Sequence, residues 1–187
     1  MECHSYMSGE DIGSYLLSGN RANKKRRIRY QEGRQKIIRS KSDLEEFVAK
    51  AISIKGIEEF AVYGKVSEKL AEQVMKVSQG KINICNKYIE LSSNDLWHAF
   101  NNHETAKQIV NKDLSFEDLV YALDNINNAF VERVVNWKSG KQTLELSLES
   151  GEGMIILIEI VSKSAGSICL KTGWKVDKEK YHKIYKK

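Results

Sequence analysis

Two histidines on one short segment are the first side chains in this sequence whose type and spacing could do chemistry. His98 and His103 lie among apolar residues that recur at helical spacing. Five residues turn two side chains about 140° apart on a helix, whereas a zinc pair needs a spacing of four, so the two are a poor metal pair. An imidazole takes and gives a proton near neutral pH, so His103, at the end of its helix, suits general acid–base catalysis. The plainer alternative is a hydrogen-bonded histidine beside Trp97 and Phe100.

A second constellation lies near the end of the sequence, on a predicted strand that runs from Leu170 to Lys175. In a regular strand the period of two places Thr172 and Trp174 on one face and Lys171 and Lys175 on the other. A threonine hydroxyl and ammonium groups can hold a phosphate and stabilise charge that develops on it. Convergence of Thr172 with both lysines would need a bulge at Gly173 or the end of the strand. The alternative is a solvated strand end without a ligand.

The first half of the chain carries helical patterns that must position these residues. Serines followed by acids can cap helices, and each of these starts precedes a run of apolar residues at helical spacing. The predicted helix starts are Ser42, Ser67 and Ser115, and a further helix is predicted from about Asp95 to His103. Short extended segments are predicted at Phe60 to Tyr63 and within Lys81 to Leu91.

From Phe130 onward the pattern changes to that of strands. Residues 143–149 alternate strictly between leucines and polar residues, and residues 154–161 are apolar on both faces, which indicates a central strand. Four strands are predicted at 130–137, 143–149, 154–161 and 167–174, joined by short turns that contain glycine or serine. Helices first and strands after predict an α+β fold, with N-terminal helices packed on one face of a four-stranded antiparallel meander sheet.

The charge of the 187-residue chain is concentrated near its N-terminus. The net charge is +5, but residues 21–41 hold ten basic residues against the single acid Glu32, so the remainder of the chain is negative. We interpret residues 1–41 as a basic arm, whose order the sequence leaves open, and residues 42–187 as one α+β domain. The arm could neutralise RNA or DNA phosphates, or serve as a solvated tether to a larger assembly. Its candidate nucleic-acid contacts are Lys24, Lys25, Arg26, Arg27 and Arg29.

Other classes of protein fit this sequence poorly. The apolar runs are much shorter than the roughly 20 residues of a membrane helix, and the N-terminus lacks the charged and apolar regions of a signal peptide. The three cysteines are widely spaced and include no Cys-x-x-Cys pair. We therefore expect a cytoplasmic protein without a membrane partner, a metal site or a cofactor. The lysine-rich residues 178–187 offer a second RNA contact or a frayed helix.

Taken in order, the two constellations resemble phage-associated nuclease families of the ribonuclease superfamily that includes barnase, EndoU, the RNase colicins and RelE. Three motifs carry the resemblance: a polar cap before a His-x4-His helix at residues 92–103, the Ser115-Phe-Glu-Asp118 helix start, and the Lys171-Thr-Gly-Trp-Lys175 strand. The likeness extends over about residues 63–175, more than half of the chain. Residues 124–128 lack the proline expected before the sheet, and Gly173 is interposed in the last motif.

The resemblance implies a metal-independent RNA endonuclease, either toxin-like or linked to a phage or prophage. In such an enzyme the ribose 2′-hydroxyl attacks its own phosphate and leaves a 2′,3′-cyclic phosphate. His103 would then be the general base or acid, with His98 as its partner or orienting residue, and Lys171 and Lys175 would stabilise the pentavalent phosphate. Thr172 would bind the phosphate or orient the histidine, and Trp174 would contact RNA. The expected partners are RNA and either an immunity protein or a phage structural protein, and the alternative function is an inactive nucleic-acid-binding or phage structural module.

Overall fold

The structure is a computed structural model that describes residues 6–17, 21–101, 114–136, 142–151, 153–163 and 166–186. Within these residues the protein is an α+β fold of seven α-helices and seven strands. The helices are α1 Gly9–Leu17, α2 Arg21–Gln31, α3 Lys41–Ser53, α4 Glu68–Val77, α5 Ser93–Asn101, α6 Phe116–Asp124 and α7 Lys178–Tyr185. The strands are β1 Gln35–Ile37, β2 Phe60–Lys65, β3 Tyr88–Ser92, β4 Phe130–Asn136, β5 Gln142–Glu149, β6 Met154–Lys163 and β7 Ser167–Asp177. None of the described helices has the length and apolar composition needed to cross a membrane.

All seven strands form one mixed sheet with the order β1-β2-β3-β7-β6-β5-β4. The last four strands pair antiparallel with their neighbours in the chain. On the other edge of β7, however, β3 pairs in parallel, β2 pairs antiparallel with β3, and β1 pairs in parallel with β2. The prediction of a four-stranded antiparallel meander sheet is therefore wrong. A free β7 edge would present a row of unpaired backbone N–H and C=O groups, and β3 pairs with the first part of that edge, at Ser167 to Cys169.

Both faces of the sheet carry helices, which also corrects the expectation of helices on one face. The main core lies on one face, where every helix from α3 to α6 buries leucine at zero exposure, namely Leu44, Leu70, Leu96, Leu119 and Leu123. On the opposite face, Tyr15 of α1 packs against Val62, and Tyr181 of α7 packs with Ile155 and Leu157. Residues assigned to the basic arm thus contribute α1, α2 and the edge strand β1.

Serine caps fix the starts of three helices of the main-core face. Ser67 caps α4 by accepting a hydrogen bond from the Leu70 N–H, and Ser115 forms a reciprocal capping box with Asp118 at the start of α6. These two predicted starts are confirmed. The predicted start of α3 at Ser42 is wrong, because Ser40 is its N-cap and accepts from the Asp43 N–H.

Candidate active site

A salt bridge joins the predicted histidine helix to the predicted lysine strand. Lys171 of β7 places its Nζ 2.7 Å from each carboxylate oxygen of Asp95, in the first turn of α5. The Lys171 side chain is 38% exposed, so a ligand can still approach its ammonium group. Two segments that are 76 residues apart in sequence therefore meet at one place on the main-core face of the sheet.

His98 lies on α5 beside this salt bridge. It is exposed, and its ring meets the Trp97 ring edge to face, with 5.3 Å between the centroids. Because residues three apart are neighbours on a helix surface, Asp95 and His98 are adjacent there. The Lys171 ammonium group, the Asp95 carboxylate and the His98 imidazole thus follow one another across this surface. His103, the first candidate for acid–base catalysis, lies outside the described residues.

A bulge in β7 decides which way the residues of the last motif point. Leu170 lies opposite Ile160 of β6 and Thr172 lies opposite Glu159, so Lys171 is the extra residue between them. Leu170 belongs to the main core, whereas Thr172 shares the face of its cross-strand partner Glu159, on the opposite side of the sheet. Regular alternation would have placed Leu170 and Thr172 on the same face.

Trp174 and Lys175 continue this arrangement on opposite faces. Trp174 lies opposite Leu157 and packs against the small apolar cluster beneath α7. Lys175 turns toward the main-core helices, and its Nζ lies 2.5 Å from Asp118 of α6. The structure therefore brings Lys171 and Lys175 to the helix face but places Thr172 on the other face of the sheet.

Asp118 serves both its helix and the sheet. Its carboxylate accepts from the Ser115 backbone N–H and pairs with Lys175. Partial burial opposes ionisation of this group, but the hydrogen bonds from Lys175 and Ser115 outweigh it and hold the pKa of Asp118 below its usual range. In the sequence, Asp95 and Asp118 are recognisable only as helix-start signals, and no local pattern predicts that they pair with the two lysines.

Gly173, the residue that interrupts the predicted motif, is a packing position. A Cβ atom at this residue would lie 2.8 Å from Leu114 Cδ1 and 3.2 Å from both Ile158 Cγ2 and the Leu157 carbonyl oxygen. Leu114 is buried immediately before the Ser115 cap of α6. The missing side chain therefore lets the start of α6 approach the sheet closely.

The predicted nucleic-acid contacts of the basic segment divide into two groups. Lys24, Lys25 and Arg27 of α2 are exposed. Arg26 is only 3% exposed, with Nε 3.6 Å from a Glu90 carboxylate oxygen, and Arg29 Nη2 lies 3.3 Å from the same oxygen. Arg26 and Arg29 thus bind a buried acid of β3. The charge pattern of residues 21–41 could not predict this ion pair, because Glu90 is 61 residues from Arg29 in the sequence.

Comparison with known proteins leaves the family open. No protein-family model, curated protein or solved structure matches this chain. Among the residues that the structure describes, no three His, Cys, Asp or Glu side chains are arranged to hold a metal ion. Function must therefore be inferred from the motifs and from the geometry around α5 and β7.

Proposed function

We propose that the protein is a metal-independent endoribonuclease, toxin-like or linked to a phage or prophage, with its active site between α5 and β7. The observation that carries this proposal is the contact between Asp95 and Lys171. It joins the two motifs on which the resemblance to the nuclease families depends, and it sets a cation beside the histidine helix. The proposed site of action is the cytoplasm of a bacterial or phage-infected cell, with RNA as substrate and an immunity protein or a phage structural protein as partner.

In the proposed reaction a histidine removes the proton from the ribose 2′-hydroxyl, and that oxygen bonds to the adjacent phosphorus. The P–O5′ bond breaks, and a second acid returns a proton to the leaving oxygen, so the product carries a 2′,3′-cyclic phosphate. His103 is the general base or acid, and His98 is either its partner in the second role or the residue that orients it. Lys171, with three N–H donors, stabilises the pentavalent phosphate when an RNA phosphate competes with Asp95 for its ammonium group. Lys175 holds α6 against the sheet through its ion pair with Asp118.

A nucleic-acid-binding or phage structural module without activity is the second candidate. It is favoured by the position of Thr172, which faces away from both lysines, and by the pairing of each lysine with an aspartate. Such a module would bind RNA without cutting it.

Cleavage of labelled RNA in EDTA separates the two candidates. We expect cleavage by the wild-type protein, with losses of about 10²-fold to 10⁴-fold in His98→Ala and His103→Ala. Lys171→Met should lose about 10²-fold to 10³-fold, as for removal of one charge-stabilising donor. Lys69→Met removes an exposed lysine from α4 and should leave the rate unchanged.

Three results would contradict the enzymatic proposal. RNA binding without any cleavage would favour the inactive module. Rates that are unchanged in both histidine variants would exclude the acid–base roles. Cleavage that EDTA abolishes would indicate a metal-dependent reaction instead.

A further inference from the structure

A cleft of about 380 Å³ opens between the end of α6 and the C-terminal helix α7, away from the proposed active site. Its floor includes Ser147 of β5 and Ile155 of β6. One wall comes from α7, and the other comes from α6 and the short 3₁₀ turn Ile126–Asn128 that leads into the edge strand β4. Among the residues that the structure describes, the histidine motif and the lysine strand contribute none to the lining of this cleft.

The α7 wall carries a row of nitrogen-bearing side chains. Lys178, His182 and Lys186 all line the cleft and are four residues apart, so they follow one another along a single helix face. Lys178 Nζ lies 3.3 Å from Glu149 Oε1, where both side chains reach solvent and water weakens the attraction. Lys186 lies beside the Tyr181 ring, with its ammonium nitrogen 5.8 Å from the ring centroid.

The opposite wall presents aromatic rings and side-chain amides. Phe130, the first residue of β4, is 60% exposed, and Tyr121 of α6 is 42% exposed. The Tyr121 hydroxyl donates to the Glu149 carbonyl oxygen at 3.0 Å, which fixes the position of its ring. Asn125 and Asn128 lie in the same wall and add hydrogen-bonding groups. Exposed aromatic rings and lysine ammonium groups along one groove are the features with which proteins bind single-stranded nucleic acid, by stacking bases and neutralising phosphates.

We propose that this cleft binds a single strand of RNA, with Lys178, His182 and Lys186 on its phosphates and Phe130 and Tyr121 against its bases. Helix α6 connects the cleft to the candidate active site, because Tyr121 lies one turn beyond Asp118, the partner of Lys175. The strand is the substrate itself only if the proposed ribonuclease function holds. Binding in the cleft can be measured independently of that function.

Fluorescence anisotropy with a single-stranded 2′-O-methyl RNA of roughly 12 nucleotides tests the proposal, since this probe fits the size of known single-strand sites and has no 2′-hydroxyl to attack. Lys186→Gln should weaken binding several-fold and should reduce the slope of log affinity against log salt by about 0.7. Phe130→Ala should weaken binding about tenfold with an unchanged slope, because a stacking contact carries no charge.

Two matched control variants replace a lysine and an apolar side chain that are exposed outside the cleft. Lys183→Gln removes a charge from the same helix, but Lys183 pairs with Glu179 and does not line the cleft. Ile57→Ala truncates an apolar side chain that is 81% exposed elsewhere. Both variants should bind the probe with the wild-type slope and affinity.

No binding by the wild-type protein, equal losses in Lys186→Gln and Lys183→Gln, or wild-type affinity in Phe130→Ala would overturn this proposal. Circular dichroism of each variant verifies that the fold is retained. Cleft-dependent binding in a protein that cleaves no RNA would refute the ribonuclease function and leave the cleft assignment intact. Cleavage that persists without cleft-dependent binding would refute the cleft assignment and leave the ribonuclease function intact.

Discussion

Replacing Glu90 should destabilise the whole protein more than any surface charge change. Glu90 is 3% exposed on β3, and its carboxylate accepts a hydrogen bond from the Tyr15 hydroxyl at 2.5 Å. The same carboxylate oxygen lies 3.3 Å from Arg29 and 3.6 Å from Arg26. Burial and the charge on Glu90 raise the pKa of Tyr15 well above its usual range. The carboxylate therefore ties α1 and α2 to an interior strand of the sheet.

The size of the effect follows from the burial of this cluster. Glu90→Gln keeps the side-chain shape but leaves the two guanidinium groups without the carboxylate they contact. Breaking a buried ion pair from one side costs about 3 to 5 kcal/mol. For a chain of this length, each kcal/mol lowers Tm by about 2 to 4 °C, so we expect a fall of about 6 to 20 °C.

Thermal and urea unfolding monitored by circular dichroism measure this change. The control is Glu32→Gln, which breaks an exposed ion pair with Arg34 and should cost no more than about 1 kcal/mol. Adding Arg26→Met to Glu90→Gln should recover part of the lost stability, because it removes one of the two cations that contacted the lost carboxylate. If Glu90→Gln loses no more stability than Glu32→Gln, α1 and α2 are not anchored through this carboxylate.

Three further positions test what holds the helices to the sheet. Asp118→Ala removes the α6 capping box and should lower the free energy of urea unfolding by about 1 to 2 kcal/mol at pH 7. Because the pKa of Asp118 is lowered in the folded protein, this difference from wild type should shrink as pH falls below about 4. A difference that stays constant with pH would contradict this. Gly173→Ala should cost about 1 to 3 kcal/mol by crowding Leu114, and Leu114→Ala in that background should cost less than it does alone. Asn127→Ala should lower the free energy of unfolding by about 2 to 4 kcal/mol, since the Asn127 amide bonds the Ser67 N–H and the Lys65 carbonyl; a loss below 0.5 kcal/mol would refute that role.

Local sequence patterns predicted the parts of the fold that depend on neighbouring residues. The alternation of leucines in β5 and the serine caps of α4 and α6 are each contained in a few consecutive residues. The parallel pairings of β1 with β2 and of β3 with β7 are not, because they join distant segments. Strand β1 has only three residues, too few for a periodic signal, so its place in the sheet could not be predicted.

In the candidate site, too, contacts between residues distant in sequence could not be predicted from local patterns. The approach of α5 to β7 was expected from the resemblance and not from spacing, and the pairing of Lys171 with Asp95 had no local signal. Regular strand alternation correctly separated Thr172 from Lys175 but did not locate the bulge at Lys171. Arg26 was predicted to contact nucleic acid because charge can be counted from sequence, whereas its partner Glu90 is known only from the fold.

The chemistry of the cut ends tests the central claim most directly. Labelled RNA and its 2′-O-methyl counterpart are incubated with the protein in EDTA, and the product ends are identified by mass spectrometry. The proposed reaction predicts 2′,3′-cyclic phosphate ends from RNA, no cleavage of the 2′-O-methyl strand, and loss of product in His98→Ala and His103→Ala. Intact RNA, or equal cleavage of both strands, would contradict it.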